Sequence, residues 1–370
     1  MPPRALPVAM ATALTLALSV PAAQAAPVHS PAAPAVDANW PYSVLPGFDP
    51  LRASSRPMTL VSAPRKLNVS YTVNGRTRTL QDYLNRTAQG FVVLDGDKIV
   101  NEWYAWGFTR HSLFQSWSMA KSFTADAIGI ALDEGKIRSL DDTVGRYVPE
   151  LGNSAYGNVS LRNLLRMSSG IAWNEVPDNV PLHLSASLGA QSTLQMAAAA
   201  RRGWEPGTRF SYNSLNSAVL ALVLQRATGM PFHRYVQKKI WGPAGMAADA
   251  YVGNDSNGNG MGYCCFYATV RDYARFGRLM LDRGAVAGRQ VVPRAWVAKV
   301  TTPTGVSPTY GLHWWIDPGE GFYAAGAFDQ KIYVSTRHRV VIVRTTGLNV
   351  NEAETLPAMR AIAAEVARTR

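Results

Sequence analysis

The chain has 370 residues, of which 47% are hydrophobic and 17% are charged, and this composition excludes a wholly disordered protein. Its length accommodates one large domain or two ordinary ones. The 37 Lys and Arg residues exceed the 25 Asp and Glu residues, so the formal net charge is +12. These basic residues are scattered, whereas nucleic-acid binding needs a clustered basic surface, so we expect no nucleic-acid partner.

Residues 1–25 have the pattern of an export signal. Arg4 provides a positive charge, residues 9–20 form an apolar segment, and Ala-Gln-Ala at 23–25 provides the small residues of a cleavage site. The apolar segment is shorter than the ~20 residues that span a bilayer, so we expect a cleaved signal and no membrane span. The sequence therefore predicts a protein exported to the periplasm or secreted after cleavage near Ala25.

A Pro- and Ala-rich segment, residues 26–57, follows the signal and is typical of a linker or an extended arm. Residues 58–370 have the patterns of a folded domain. Within them, residues 90–106 contain two β-rich runs on either side of an Asp-Gly pair, which predicts a β-hairpin. Apolar residues at helical spacing then predict a helix over residues 118–134.

The middle of the chain, about residues 139–265, is mainly helical in pattern and is predicted to be a helical insertion. A capping box at residues 269–272 begins a further helix. β-rich runs return at residues 331–335 and 340–345, before a closing helix over residues 352–368. Strands at both ends thus enclose a mostly helical middle, which predicts one α/β (α+β) domain rather than two tandem domains.

Ser118 and Lys121 form an S-x-x-K motif at the start of a predicted helix. An offset of three residues places both side chains on one helical face, within reach of each other. Burial can lower the pKa of a Lys until it serves as a base for a nucleophilic Ser, and the amino end of a helix stabilises negative charge. Ser118 is therefore a candidate nucleophile and Lys121 its candidate base, with a chance spacing as the alternative.

Other segments accompany this motif in order along the chain. The segments are residues 114–123 (FQSWSMAKSF), 130–137 (IALDEGKI), 164–170 (LLRMSSG), 206–214 (PGTRFSYNS) and 271–277 (RDYARFG). Together they resemble the serine β-lactamase and penicillin-binding superfamily, and more closely its class C-type branch, which includes esterases, D-aminopeptidases and 6-aminohexanoate-dimer hydrolases. The resemblance implies an antiparallel sheet flanked by helices, an inserted helical subdomain, and hydrolysis through an acyl-enzyme on Ser118.

The resemblance gives Tyr212 the second catalytic position of the superfamily. There its phenol would exchange a proton with Ser118 and with the leaving group, assisted by Lys121. A packed aromatic residue is the alternative for a lone Tyr before a helix. The superfamily commonly has Asn two residues after this Tyr, whereas this chain has Ser214, which we expect to line the substrate site.

The third element of the superfamily is a strand motif of the type Lys-Thr-Gly or His-x-Gly. Its best match is Ala324-Ala325-Gly326, in which Gly326 would permit close approach of the substrate, and the N–H of Ala327 would join that of Ser118 as an oxyanion donor. The cationic or imidazole side chain of the motif is absent here. The resemblance therefore favours esters and amides without a carboxylate over β-lactams. Asp329 stands where the 6-aminohexanoate-dimer hydrolase group often has Gly.

Two further features lie near these motifs. Trp314 and Trp315 could line the pocket for the acyl or alcohol group, or pack in the core. Cys264 and Cys265 are neighbours, and their Cα atoms lie only about 3.8 Å apart, shorter than the usual span of a disulfide. We therefore expect two free thiols rather than a vicinal disulfide.

The sequence thus predicts an exported serine hydrolase that cleaves an ester or amide bond in a small molecule. No Cys/His cluster or metal motif is evident in it, so we expect no metal and no cofactor. The alternatives are a β-lactamase or D,D-peptidase, and a non-catalytic binding version of the fold. The sequence does not indicate the oligomeric state.

Overall fold

The computed structural model describes residues 47–347 and 352–370. The predicted export signal and the first part of the predicted linker lie outside these residues. Fifteen strands and eleven α-helices occur in the described part, which confirms the predicted mixed α/β fold. Within the described residues, no helix is both long enough and apolar enough to cross a membrane.

The strands are numbered in chain order. They are β1 (Phe48–Leu51), β2 (Val61–Ser62), β3 (Ser70–Val73), β4 (Arg76–Thr79), β5 (Gly90–Asp95), β6 (Lys98–Tyr104), β7 (Phe114–Gln115), β8 (Ala250–Gly253), β9 (Phe266–Ala268), β10 (Ala285–Val286), β11 (Arg289–Gln290), β12 (Trp315–Asp317), β13 (Gly321–Gly326), β14 (Gln330–Ser335) and β15 (Val340–Thr345).

Seven of these strands form the main sheet, in the order β12-β13-β14-β15-β5-β6-β2. Neighbouring strands are antiparallel except β2 and β6, which are parallel. The hairpin predicted over residues 90–106 is the β5–β6 pair, and the two β-rich runs near the end of the chain are β14 and β15. The sheet therefore joins strands from both ends of the domain, as the sequence predicted.

A second sheet has the order β1-β8-β9-β7. Its first strand, β1, lies in the later part of the predicted linker or arm and pairs antiparallel with β8. This part of the arm is therefore packed against the domain. The remaining pairs, β3–β4 and β10–β11, are separate two-stranded hairpins.

The helices are also numbered in chain order. They are α1 (Leu80–Thr87), α2 (Ala120–Asp133), α3 (Val144–Tyr147), α4 (Leu161–Leu165), α5 (Glu175–Leu188), α6 (Thr193–Ala199), α7 (Ser214–Thr228), α8 (Phe232–Val236), α9 (Val270–Leu281), α10 (Arg294–Val300) and α11 (Glu352–Arg368). Six of them, α3 to α8, lie within the middle of the chain that was predicted to be helical.

Both faces of the main sheet are buried. In β15, Val341 and Val343 belong to the larger core, whereas Ile342 points to the opposite face and packs in a smaller core with residues of α1 and α11. This alternation follows from the two-residue period of a strand. Helix α9 covers the face of the sheet that carries Val341 and Val343. Gly277 permits its close approach, because a Cβ there would lie 2.6 Å from the Val341 side chain.

The predicted capping box before α9 is only half formed. The Thr269 side chain accepts a hydrogen bond from the Asp272 N–H, as expected. The Asp272 carboxylate, however, accepts hydrogen bonds from the N–H groups of Ala247 and Ala248 instead of that of Thr269. Asp272 therefore joins the start of this helix to the end of the helical region.

Candidate active site

Ser118 lies in a short 3-10 turn, Trp117–Met119, directly before α2. Trp117 has a φ of 45°, in the left-handed region that non-glycine residues seldom occupy, and the chain turns sharply there into the helix. The partly exposed Ser118 is therefore presented at the amino end of α2, where the first N–H groups of the helix create a positive potential.

Lys121 follows one turn later, and its ammonium group contacts three oxygen atoms. The Nζ atom lies 2.7 Å from Ser118 Oγ, 2.9 Å from Ser214 Oγ and 3.0 Å from the Tyr263 carbonyl oxygen. The side chain is buried, with 1% of its surface exposed. Burial lowers the pKa of Lys121 to about 8, although the nearby Glu175 acts in the opposite direction. A neutral amine is therefore accessible at mildly alkaline pH.

Tyr212 lies beside this pair. The Lys121 Nζ atom is 5.0 Å from the centre of the Tyr212 ring, and the ring stacks on Trp315 with centroids 5.6 Å apart. Burial raises the pKa of the Tyr212 phenol, and the charge of Glu175 raises it further, while a hydrogen bond with Ser118 lowers it in part. The phenol therefore keeps its proton and can act as a donor.

Ser214 was expected to line the substrate site, but it is completely buried. Its hydroxyl group accepts from Lys121 and donates to Glu175 Oε1, and its N–H donates to Glu175 Oε2 at 2.8 Å. Trp173 Nε1 also donates to Glu175 Oε2, at 2.7 Å. The structure therefore places Ser214 between Lys121 and a carboxylate rather than at the surface of the cleft.

Glu175 is the site residue that the sequence interpretation missed. Burial raises the pKa of its carboxyl group, and Lys121 lowers it in part. Its only signal in the sequence is an acidic residue in the first turn of a helix, which is common in helices generally. Its 39-residue separation from Ser214 meant that only the tertiary structure could bring the two together.

The predicted strand motif lies against the turn that holds the candidate nucleophile Ser118. A Cβ on Gly326, the last residue of β13, would lie 2.4 Å from the Ser116 carbonyl oxygen and 3.0 Å from Trp117 Cβ. Only glycine permits this approach, so β13 ends beside Ser118 and Ala327 follows immediately. Ala324, the predicted counterpart of the motif's cationic or imidazole residue, is buried in the core.

The two Trp residues separate. Trp314 is fully buried and packs against Phe276 and Phe322, so the structure contradicts its expected role in lining the substrate site and makes it a core residue. Trp315 is partly exposed and contacts Tyr212. Consecutive residues on an extended chain point in opposite directions, which is why only one of the pair reaches the site.

Cys264 and Cys265 form a vicinal disulfide, and the expectation of two free thiols was wrong. Cys265 has a φ of 75°, a left-handed conformation that turns the chain sharply at the pair. His183 Nδ1 lies 3.6 Å from Cys264 Sγ and 3.8 Å from Cys265 Sγ. Among the described residues, the ligand atoms of these three side chains lie close enough together to hold a metal ion. The two sulfur atoms are, however, bonded to each other in the disulfide and are not free thiolates.

Comparison with known proteins gives consistent results. A family model described as Beta-lactamase matches residues 77–366. The 6-aminohexanoate-dimer hydrolase of Paenarthrobacter ureafaciens is 29% identical over 335 residues, which cover 82% of this chain and 84% of that protein.

Solved structures share the fold. A Bacillus anthracis protein assigned as a 6-aminohexanoate-dimer hydrolase superposes with a TM-score of 0.79 and 23% identity, covering 87% of this chain and 90% of that one. A penicillin-binding protein from Bacillus halodurans gives a TM-score of 0.60 and 18% identity, covering 75% of this chain and 96% of that one. At these identities the likeness extends to the fold alone.

Proposed function

Since this chain belongs to the β-lactamase family of serine hydrolases, we propose that it cleaves an ester or a linear amide of a small molecule through an acyl-enzyme on Ser118. The observation that carries the proposal is the buried Lys121 amine, 2.7 Å from the Ser118 hydroxyl group. A lysine held in this way, with its pKa lowered by burial to about 8, is suited to remove a proton from serine.

The first half of the proposed reaction forms the acyl-enzyme. Neutral Lys121 takes the proton of Ser118, and Ser118 Oγ forms a bond to the carbonyl carbon of the substrate. The N–H groups of Ser118 and Ala327 hold the resulting oxyanion, and one such donor is typically worth ~3 kcal/mol. Tyr212 then donates its proton to the leaving alcohol or amine as the bond breaks, and Lys121 returns a proton to Tyr212.

The second half releases the acid. A water molecule gives its proton to the same basic pair and attacks the acyl carbon, and Ser118 leaves with a proton. The high pKa of the buried Tyr212 phenol supports its role as the proton donor, with Lys121 as the base. The partly exposed Trp315, stacked on Tyr212, would form one wall beside the leaving group.

The decisive experiment is labelling by a fluorophosphonate probe, which reacts with an activated serine. We expect the wild-type protein to be labelled and Ser118→Ala to lose both labelling and turnover. Ser122→Ala is the matched control. Ser122 lies in the helix that follows Ser118, and its hydroxyl group donates a hydrogen bond to the His313 carbonyl oxygen rather than contacting Lys121. Labelling of Ser118→Ala would refute the assignment of Ser118, and the absence of labelling in the wild-type protein would refute the proposal in favour of a non-catalytic binding protein.

A substrate panel separates the chemical classes. We expect turnover of p-nitrophenyl esters or of linear amides such as the 6-aminohexanoate dimer, the compound named for the relative described above. Ala324 leaves the strand motif without the cation that the superfamily uses for carboxylates, so nitrocefin and D-amino-acid peptides should react slowly. Faster turnover of nitrocefin than of any ester would favour a β-lactamase or D,D-peptidase.

We also propose that the protein is exported, on the basis of the signal pattern in residues 1–25. Expression of the full chain in a bacterial host should then yield a mature protein in the periplasm or the medium. Its amino terminus, read by mass spectrometry, should lie near Ala26. An unprocessed protein retained in the cytoplasm would contradict this proposal.

A further inference from the structure

The neutral Lys121 amine can act as a base for Ser118 only if its lone pair points toward the Ser118 hydroxyl group. A charged ammonium group has three N–H bonds, and three oxygen atoms surround it: those of Ser118, Ser214 and the Tyr263 carbonyl group. A neutral amine keeps two N–H bonds and gains one lone pair. If this amine is to accept the Ser118 proton, the other two oxygen atoms must both act as acceptors, so that the lone pair faces Ser118.

The two remaining oxygen atoms differ in how firmly they meet this requirement. A carbonyl oxygen such as that of Tyr263 can only accept. The Ser214 hydroxyl group can accept or donate, and as a donor it would compete with Ser118 for the lone pair of Lys121. The direction of this one hydroxyl group therefore decides whether Ser118 is activated.

Glu175 lies on the far side of Ser214 and settles that direction. Its Oε1 atom accepts the proton of the Ser214 hydroxyl group. Its Oε2 atom accepts from two N–H groups, those of Ser214 at 2.8 Å and Trp173 Nε1 at 2.7 Å. Because an ionised carboxylate is an acceptor at both oxygen atoms, Ser214 must donate to it and must accept from Lys121.

We propose that Glu175 is a positioning residue which, through Ser214, orients the lone pair of Lys121 toward Ser118. The inference rests on the proposed function and deepens it, because it assigns a role to a carboxylate that does not touch the substrate. Among the described residues, the ionisable side chains that interact with Lys121 or Glu175 include those of Tyr212, Tyr263, Tyr310 and His313. Burial raises the pKa of the three phenols and lowers the pKa of His313 to about 3, so all four are neutral near pH 8.

Glu175→Gln is the informative change, since the side chain keeps its shape. Two N–H donors face the Oε2 position, so the amide oxygen of the glutamine must lie there and its NH₂ group must face Ser214 Oγ. That NH₂ group donates to Ser214, whose own proton then points to Lys121. The substitution therefore reverses the hydroxyl group and blocks the lone pair.

The assay is the rate of phosphonylation of Ser118 by a fluorophosphonate between pH 6 and 10. We expect Glu175→Gln to lower the plateau rate about tenfold, the equivalent of one competing hydrogen bond. The rising part of the pH–rate profile, here called the limb, should move to lower pH. The charge of Glu175 raises the pKa of Lys121, and the substitution removes that charge. The shift of the limb reports the loss of the Glu175 charge, whereas the fall of the plateau reports the reversal of the Ser214 hydroxyl group. Glu205→Gln, at an exposed carboxylate, should match the wild type.

The double variant gives the sharpest test. Glu175→Gln combined with Ser214→Ala removes the competing donor, so it should react faster than Glu175→Gln alone. Ser214→Ala alone removes an acceptor of Lys121, so its plateau should fall. It keeps the Glu175 carboxylate, so its limb should stay near that of the wild type. Melting temperatures of the variants verify that each is folded.

Three results would overturn the inference: wild-type rates in Glu175→Gln, wild-type rates in Ser214→Ala, or a double variant no faster than Glu175→Gln. The Ser214→Ala arm decides the matter if Glu175→Gln does not fold. Failure of the proposed function would be seen differently, because Ser118→Ala would then retain labelling. Loss of labelling in Ser118→Ala with wild-type behaviour in Glu175→Gln would reject only the role of Glu175.

Discussion

The pH dependence of acylation follows directly from the burial of Lys121. With a pKa of about 8, about a tenth of the amine is neutral at pH 7 and about nine tenths at pH 9. If neutral Lys121 is the base, the acylation rate should rise about tenfold over this interval and then level off. An unperturbed lysine, with a pKa near 10.4, would instead give a rise of about a hundredfold with no plateau below pH 10.

The assay is again phosphonylation by a fluorophosphonate, followed under pseudo-first-order conditions in buffers of constant ionic strength. This reagent reports the nucleophile directly and avoids the spontaneous hydrolysis of activated esters at alkaline pH. Ser118→Ala measures the background reaction at each pH. The sign is fixed by the structure, because deprotonation creates the base and the rate must therefore increase with pH.

Two outcomes would refute this reasoning. A rate that still rises steeply above pH 9.5 would mean that burial does not lower the pKa of Lys121 as its surroundings require. A rate independent of pH between 6 and 10 would mean that Lys121 does not act as the base.

Further expected outcomes concern Tyr212, Asp126 and the disulfide. Tyr212→Phe should lower kcat on a p-nitrophenyl ester by at least ~10²-fold, the usual value for a general acid, and a smaller loss would remove Tyr212 from the proton path. Asp126 is fully buried and burial raises its pKa well above the ordinary value, so the folded protein retains a proton that the unfolded chain releases. The contribution of Asp126 to stability should therefore fall as the pH rises above about 4. Asp126→Asn should raise the melting temperature at pH 8 more than at pH 5, whereas equal changes would contradict this. Reduction of Cys264–Cys265 frees the chain next to Tyr263, whose carbonyl oxygen holds Lys121, so it should slow phosphonylation. A double Ser variant of the pair should be slow with or without reductant, and an unchanged rate in the reduced protein would count against this coupling.

Local patterns in the sequence were sufficient for much of the fold. The uninterrupted apolar runs of β14 and β15, and the helical spacing of apolar residues after Ser118, are local patterns of residues close in sequence. The Ser118–Lys121 contact was predictable for the same reason, since an offset of three residues on a helix fixes it geometrically. Such features follow from the period of the backbone and need no knowledge of the tertiary structure.

The features that sequence interpretation missed depend on distant contacts or on the choice between two faces. Glu175 meets Ser214 only because α5 begins next to the start of α7 in the folded chain. Trp314 and Trp315 must face opposite directions, but the sequence does not say which one faces the core. The expectation of free thiols rested on the short Cα separation, and it did not foresee the left-handed turn at Cys265.

Asp329 shows how one departure from the pattern of the 6-aminohexanoate-dimer hydrolases can be compatible with the proposed catalytic site. Glycine often occupies this position in the related hydrolases, and here Asp329 has a φ of 72°, a conformation that costs a non-glycine residue of order 1 kcal/mol or more. Its buried carboxylate pairs with the fully buried Arg344 and accepts further hydrogen bonds from Lys331 and Thr355.

A buried ion pair adds little net stability, because desolvation of both charges offsets their attraction. The pair with Arg344 instead connects the turn that follows β13 to the adjacent strand β15, through both the carboxylate and the carbonyl oxygen of Asp329. Ala327 lies in that turn, two residues before Asp329, so the contacts of the carboxylate hold the chain close to the proposed oxyanion donor. A donor held in place before the reaction needs no reorganisation in the transition state, which is where such groups contribute most to catalysis. Glycine adopts the left-handed conformation of this turn through its conformational freedom. In this chain Asp329 adopts the same conformation, and its contacts with buried polar side chains stabilise it.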